Sequence, residues 1–267
     1  MKQSLNFEWS FIKGFDESFL EEFNKKRSEI VNIPHNPVEI PYNYFSEKIY
    51  QGLFSYEKLF NVDDFNENKV YILKFEGFML KADIYLNGHK LGNFYSGYLP
   101  VSIDVTSFIR KNNNRLVVIL DSNENKDYPP FGFAVDYLTF AGIYREVYLE
   151  SHLKTYLSNF YIHGDSKGNI DLLYDVNGND EIKVENIIFD KNHREKGRFF
   201  GNSFKLENFE LWDLDNPILY ELHTFVSHNG ETEEYVNKFA FRDVKFTNTG
   251  FYLNDKKIKL FGLKMLH

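Results

Sequence analysis

Alternation of apolar and polar residues dominates this chain. From Val70 to Glu150 it runs through short stretches such as VYILKF, KADIYL and RLVVIL, each closed by a tight turn. Apolar residues that repeat every second position line one face of a strand. Asn87-Gly88 sits between two such stretches, and that dipeptide accepts positive φ at both central turn positions, a strong hairpin signal. Arg115–Leu120 is continuously apolar after its first residue, which predicts a strand central in its sheet or buried on both faces. Leu5–Phe15 predicts a first strand with Phe7, Trp9 and Phe11 on one face. Helical spacing of Phe19, Leu20 and Phe23 predicts one short helix within Asp16–Ile30, with Ser18 and Glu21 placed as a capping box. Pro34, Pro37 and Pro41 mark a loop. Asp104–Ile109 reads as a turn or one helical turn, and Gly142–Glu150 is the last strand of the first β unit.

A second β unit follows. Its strands are predicted at Leu153–His163, Asn169–Tyr174, Glu181–Asp190, Gly201–Leu206, Tyr220–Ser227 and Glu233–Phe241. Gly164, Gly168, Gly178, Gly197 and Gly230 supply turn signals at the short intervals of a small sandwich. Phe246–His267 reads as a hairpin turning at Asn254-Asp255, followed by the apolar run IKLFGL. The fold class is therefore all-β: two sandwiches and a short C-terminal hairpin.

Composition narrows the function. Aromatic residues make up 18% of the 267 positions, with 28 Phe and 18 Tyr, which suits pleated surfaces. The formal charge of −8 disfavours a nucleic-acid partner, which requires a cationic face. No apolar run reaches the roughly 18 residues of a membrane span. The start has no signal-peptide core, and the chain has no cysteine. These features predict a cytoplasmic protein without disulfides, thiol chemistry or a closed cysteine zinc site. The eight histidines show no metal-ligand spacing. His223 and His228 fall on opposite faces if both lie in one strand. HExxH, phosphate-loop and Gly-x-Ser-x-Gly motifs are absent from the sequence.

The order of landmarks resembles glycoside hydrolase family 2, the group of β-galactosidases, β-glucuronidases and β-mannosidases. FEWSF (7–11), IPH (33–35), YQGLFSYEKLF (50–60), KFEGFMLKADIYLNGHKLGNFYSGYLPVSIDVT (74–106), AGIYREVYL (141–149), LWDLDNPILYEL (211–222), FAFRDVKF (239–246) and GFYLNDKKIKLFGL (250–263) follow the family's sequence of elements. The resemblance implies a jelly-roll sugar-binding domain over 1–151, an immunoglobulin-like sandwich over 152–244, and the start of a catalytic barrel over 245–267. At the barrel entry Phe261-Gly262-Leu263-Lys264 departs from the family's pattern, and His267 is assigned no role.

The implied parent enzyme is a β-galactosidase that hydrolyses terminal β-linked sugars with retention of configuration. β-Glucuronidase and β-mannosidase specificities stay open, as does homo-oligomerisation. Its two catalytic glutamates would lie outside these residues, so no catalytic residue and no activity are expected of the chain alone. No cofactor is expected here, with sodium or magnesium open for the parent. By resemblance, Asp136 reaches into the sugar pocket or helps hold sodium; by itself it reads as a loop aspartate capping a turn. Tyr95 and Tyr98, in the aromatic loop 94–98, are candidates for stacking on sugar rings; edge packing is the plainer reading. Gly77, Gly97, Arg145, Trp212, Pro217 and Tyr220 read as scaffold, with Arg145 expected to pair with a buried carboxylate or carbonyl. The adjacent acids Asp63-Asp64 and Glu233-Glu234 cannot act as a catalytic pair, because neighbours on a strand face opposite ways. Two rival readings remain: a stand-alone carbohydrate-binding module, and a structural interaction module whose exposed edge is the IKLFGL run.

Overall fold

The computed structural model describes residues 1–22, 27–39, 47–128, 141–179 and 181–262. The chain forms two compact units, one over Met1–Ser151 and one beginning at His152. The first contains β1 (Lys2–Ser4), β2 (Trp9–Lys13), β3 (Glu29–Val31), β4 (Leu53–Phe60), β5 (Val70–Phe75), β6 (Lys81–Leu86), β7 (His89–Tyr95), β8 (Val101–Asp104), β9 (Asn114–Asp121) and β10 (Val147–His152). These make a six-stranded sheet in the order β3-β2-β4-β9-β6-β7 and a four-stranded sheet in the order β1-β10-β5-β8. The pairs β1–β10, β5–β8, β2–β3, β2–β4, β4–β9, β6–β7 and β6–β9 are antiparallel. Trp9, Phe54, Tyr56, Phe75, Phe78, Val118 and Leu120 fill the space between the sheets, each at most 0% exposed. The aromatic excess is thus core filling. β9 is central, as its unbroken apolar run requires.

Several turns follow from local chemistry. Asn87 (φ 53°) and Gly88 (φ 84°) both take the left-handed conformation that a two-residue hairpin needs. Asp104 accepts from the Thr106 N–H, and Phe108 and Ile109 both donate to the Val105 carbonyl, making one turn after β8. Two expectations fail near the N-terminus. The first strand is broken: Glu8 has φ 56°, its N–H is taken by the Asn32 side chain, and Phe7 points outward at 64% exposure. Of the three aromatic residues only Trp9 and Phe11 enter the core, joined there by Leu5. The expected helix is a single 3-10 turn, Glu17–Leu20, capped by Asp16 rather than Ser18. The aspartate accepts from both the backbone N–H and the hydroxyl of Ser18, which ties up the residue expected to cap. The closing strand starts at Val147 rather than Gly142.

The second unit holds β11 (Tyr156–Gly164), β12 (Asn169–Asn177), β13 (Lys183–Phe189), β14 (Glu195–Phe200), β15 (Ser203–Lys205), β16 (Tyr220–His228), β17 (Glu231–Phe239), β18 (Val244–Thr247), β19 (Gly250–Leu253) and β20 (Lys256–Ile258). Sheets β11-β12-β15 and β14-β13-β16-β17 enclose Ile170, Leu172, Ile188, Tyr220, Leu222 and Phe241. β14 was not foreseen, because Gly197 reads as a turn residue; it lies within the strand, opposite Ile188. The final segment is a three-stranded sheet, β18-β19-β20, rather than one hairpin. Asn254 (φ 49°) and Asp255 (φ 62°) make the expected turn, but the apolar run is strand only as far as Ile258. Asn254 joins this small sheet to the sandwich: its Oδ1 accepts from Asp243 N–H at 2.9 Å and its Nδ2 donates to the Trp212 carbonyl at 2.9 Å. Trp212 also lies under the Arg242 guanidinium, 5.0 Å from the ring centroid.

Candidate functional site

The six-stranded sheet has two chemically different faces. Register fixes which residues share a row. Phe54, Leu120, Ala82 and Phe94 stand side by side on the core face. One residue along, Leu53, Asp121, Lys81 and Tyr95 form a row on the outer face. The next outer row is Ser55, Ile119, Asp83 and Asn93, and the third contains Glu57, Val117 and Tyr85.

The 3-10 turn forms one wall on this outer face. Phe19 packs on Ile12, and Arg115 holds the end of the turn. Its guanidinium donates to the Leu20 carbonyl at 2.5 Å, to the Phe19 carbonyl at 2.6 Å and to Glu57 Oε1 at 2.6 Å. Glu57 is buried at 4% exposure, so Arg115 satisfies both a buried charge and two carbonyls that the short turn leaves open.

Between this wall and β6 lies a groove of about 520 Å³, lined by Phe15, Glu17, Leu20, Glu21, Leu53, Lys81, Asp83, Tyr85, Ile119 and Asp121. Its base is apolar: Ile119 is buried and Leu53 is 39% exposed. Its polar groups are only partly used by the protein. Asp83 takes Asn93 Nδ2 at 2.8 Å and Lys90 Nζ at 2.9 Å, both on Oδ1. Asp121 takes the Asn123 N–H at 3.0 Å and Nδ2 at 2.7 Å, again both on Oδ1. Among the described residues the second oxygen of each carboxylate has no hydrogen bond, and Lys81 makes no hydrogen bond or ion pair. Burial works to raise the Asp83 carboxyl, but hydrogen bonds from Asn93 and Lys90 and the charges of Lys90 and Lys81 outweigh it. Asp83 is held below the ordinary aspartate value.

Tyr95 lies at the β7 end of the first outer row. Tyr128 stacks on its ring, with centroids 3.9 Å apart and planes 15° from parallel, and Lys81 Nζ lies 5.8 Å from the ring centroid. Part of the Tyr95 surface is therefore spent on packing. Tyr98 is exposed, on the loop after β7. That loop is braced: Ser96 donates from its N–H to the Leu80 carbonyl and from its hydroxyl to the Leu99 carbonyl, and Tyr144 donates its hydroxyl to the Gly97 carbonyl.

Comparison with known proteins gives this architecture a place. Residues 41–129 match the glycosyl hydrolase 2 galactose-binding domain-like model, and residues 157–242 match the model of glycosyl hydrolases family 2. The chain belongs to glycoside hydrolase family 2. The β-galactosidase of Thermoanaerobacterium thermosulfurigenes is 37% identical over 97% of this chain, and that of Thermoanaerobacter pseudethanolicus 30% identical over 97%. The chain spans only 39% and 38% of those two relatives, so it corresponds to the N-terminal portion of larger enzymes. The Ruminococcus gnavus β-glucuronidase structure superposes with a TM-score of 0.84 at 21% identity, covering 98% of this chain and 48% of that one, a likeness of fold.

Within this family 2 chain the expected site residues do not all meet. Tyr95 shares a face with the groove, Tyr98 sits on the adjoining loop, and Asp136 lies outside the described residues. Asp136 belongs to a segment whose described flanks are anchored on the same loop, Tyr128 against Tyr95 and Tyr144 against Gly97. Gly142, after that segment, has φ 90°, and a Cβ there would meet the His35 carbonyl at 2.4 Å and Pro37 Cδ at 2.6 Å. Beside it His35 Nδ1 lies 2.9 Å from the Tyr56 hydroxyl; burial pushes the His35 imidazole down and the Tyr56 phenol up. Among the described residues Arg145 pairs with neither a buried carboxylate nor a carbonyl. It is exposed, 5.8 Å from the Tyr144 ring centroid.

No group of three or more potential metal ligands occurs among the described residues. Glu233 and Glu234 do part to opposite faces, Glu233 to His152 and Glu234 to His223, each at 2.6 Å. Lys81, Asp83, Tyr85 and Asp121 were missed as site candidates. The available signal was KADIYL itself, whose outward positions are a lysine, an aspartate and a tyrosine rather than inert polar residues.

Proposed function

We propose that this chain is the non-catalytic N-terminal portion of a β-galactosidase, and that its first sandwich faces carbohydrate. The observation that carries the reading is the ordered match to both family 2 models, together with β-galactosidase relatives at 37% and 30% identity across 97% of the chain. The parent reaction is then hydrolysis of terminal β-D-galactosides. Retention needs two carboxyl groups about 5–5.5 Å apart, one as nucleophile and one as acid and base. Those groups come from the part of the enzyme that this chain does not span. Its own contribution is to hold hydroxyl-binding groups in place: Asp136, from the segment after Tyr128, accepts hydrogen bonds from the sugar or helps hold a sodium ion.

The test is hydrolysis of nitrophenyl β-D-galactoside. The intact enzyme is expected to turn it over and to release the β-anomer first, as followed by proton NMR. Residues 1–267 alone are expected to give none. Turnover by these residues alone, or α-anomer as first product, overturns the reading.

A further inference from the structure

We propose that the groove on the outer face of the six-stranded sheet binds one neutral hexose unit, with Lys81, Asp83 and Asp121 as its hydroxyl partners and Leu53, Ile119 and Tyr85 beneath the ring. The proposal rests on the carbohydrate reading above and adds a site to it. A pyranose presents an edge of hydroxyls, each both donor and acceptor, and faces of C–H groups. The groove offers the complement. Two carboxylates each keep one oxygen without a partner among the described residues, and Lys81 Nζ has three donors and no hydrogen bond there. Register brings these groups together: Lys81 stands directly opposite Asp121, and Asp83 directly opposite Ile119. A volume of about 520 Å³ lies within the range of small-molecule sites, roughly 300–1,000 Å³.

Charge decides the class of sugar. Glu17, Glu21, Asp83 and Asp121 face Lys81 in the lining and Lys90 on Asp83 at 2.9 Å, so the groove is net negative by two. An anionic ligand such as a uronate or a phosphate would be repelled. A neutral hexose loses nothing to that field, and ionised carboxylates make the stronger hydrogen bonds to its hydroxyls.

The experiment is a two-dimensional amide NMR titration of the 267-residue protein with lactose and galactose, and with glucuronate as the anionic control. Saturable shifts at millimolar lactose or galactose, centred on β4, β6 and β9, with no matching response to glucuronate, are expected. Asp121→Asn and Lys81→Met are each expected to weaken binding about tenfold, the loss of one charge-assisted hydrogen bond, with the melting temperature unchanged. Absence of saturable shifts overturns the proposal. So does an equal response to glucuronate, a response confined to the Tyr98 loop, or a response that follows protein concentration rather than sugar, which would make the face a contact between copies. The hydrolysis assay separates the two readings. An intact enzyme that cleaves galactosides while this face stays silent removes the groove alone; sugar binding here without hydrolysis by the intact enzyme removes the parent activity alone.

Discussion

The outer faces of the two larger sheets use their charges to different degrees, although the first also holds the pairs Lys90–Asp83 at 2.9 Å and Arg115–Glu57 at 2.6 Å. On the β14-β13-β16-β17 sheet the charges neutralise one another. Glu221 lies 3.6 Å from His193, 3.7 Å from His223 and 3.8 Å from Lys238; His223 in turn meets Glu234 at 2.6 Å, and Arg198 meets Glu195 at 2.8 Å and Glu185 at 3.3 Å. On the six-stranded sheet of the first unit, Asp83 and Asp121 are half used and Lys81 is unpaired among the described residues. A face that only has to be soluble can let its charges pair. A face that has to recognise something must keep hydrogen-bonding capacity in reserve. The difference therefore points to the first unit as the one that meets a ligand.

The largest effect that would break this comparison is loss of the groove wall. Arg115→Met leaves Glu57 buried without its partner and frees two carbonyls of the 3-10 turn. Stripping one partner from a buried ion pair costs about 3–5 kcal/mol. We expect a loss of that size in chemical denaturation of the first unit, with sugar binding lost as well. The double variant Arg115→Met, Glu57→Met is expected to recover most of the stability without recovering binding, because the turn stays untethered. Full stability in the single variant would show that Arg115 is ornamental and that the groove has no fixed wall.

The next effect belongs to the second unit and depends on pH. Burial tends to raise the Glu233 carboxyl, but hydrogen bonds from His152 Nδ1 at 2.6 Å and the Leu153 N–H at 3.0 Å, with the charge of His152, outweigh it and hold Glu233 below the ordinary value of 4.5. A depressed carboxyl stabilises the folded state above its unfolded pKa, and that contribution is lost as pH falls through the folded pKa. The second unit should lose stability below about pH 4.5 for this reason. Glu233→Gln should cost about 1–3 kcal/mol at neutral pH and flatten the acid limb. An acid limb unchanged by the substitution would remove this account.

A smaller effect concerns the expected catalytic contribution. Asp136→Asn in the intact enzyme should lower kcat/KM about tenfold or more, close to one charged hydrogen bond, while leaving the thermal stability of the first unit unchanged. Unchanged kcat/KM would return Asp136 to the role of a turn-capping aspartate.

Much of this fold could be read from sequence because its signals are local. The Asn87-Gly88 hairpin, the Asn254-Asp255 turn and the unbroken apolar run of β9 each depend on neighbours in the chain, and each is present. What was not legible depends on partners far away. Nothing near Glu8 reveals that its N–H is claimed by Asn32. Gly197 reads as a turn until Ile188 is placed opposite it. The groove is the strongest case. Leu53, Asp121 and Lys81 come from three strands, and only antiparallel register puts them in one row. Tyr95 and Tyr98 were visible as an aromatic loop, but the stacking of Tyr128 on Tyr95 was not, because it needs the conformation of a distant loop.

The smallest expected effect gives the sharpest contrast between the faces. Lys238→Met removes the one lysine among the three basic side chains beside Glu221, at 3.8 Å and on an exposed side chain. Partly exposed pairs of this kind contribute roughly 0–1 kcal/mol, and His193 and His223 remain beside the carboxylate. The melting temperature should barely move, and sugar binding should not move at all. Lys81→Met deletes the same charge from a strand of the other sandwich and should likewise leave stability alone, yet weaken binding. If both substitutions leave binding intact, unpaired charge on the first face is as idle as paired charge on the second, and the reserve of hydrogen-bonding capacity has no recognition role.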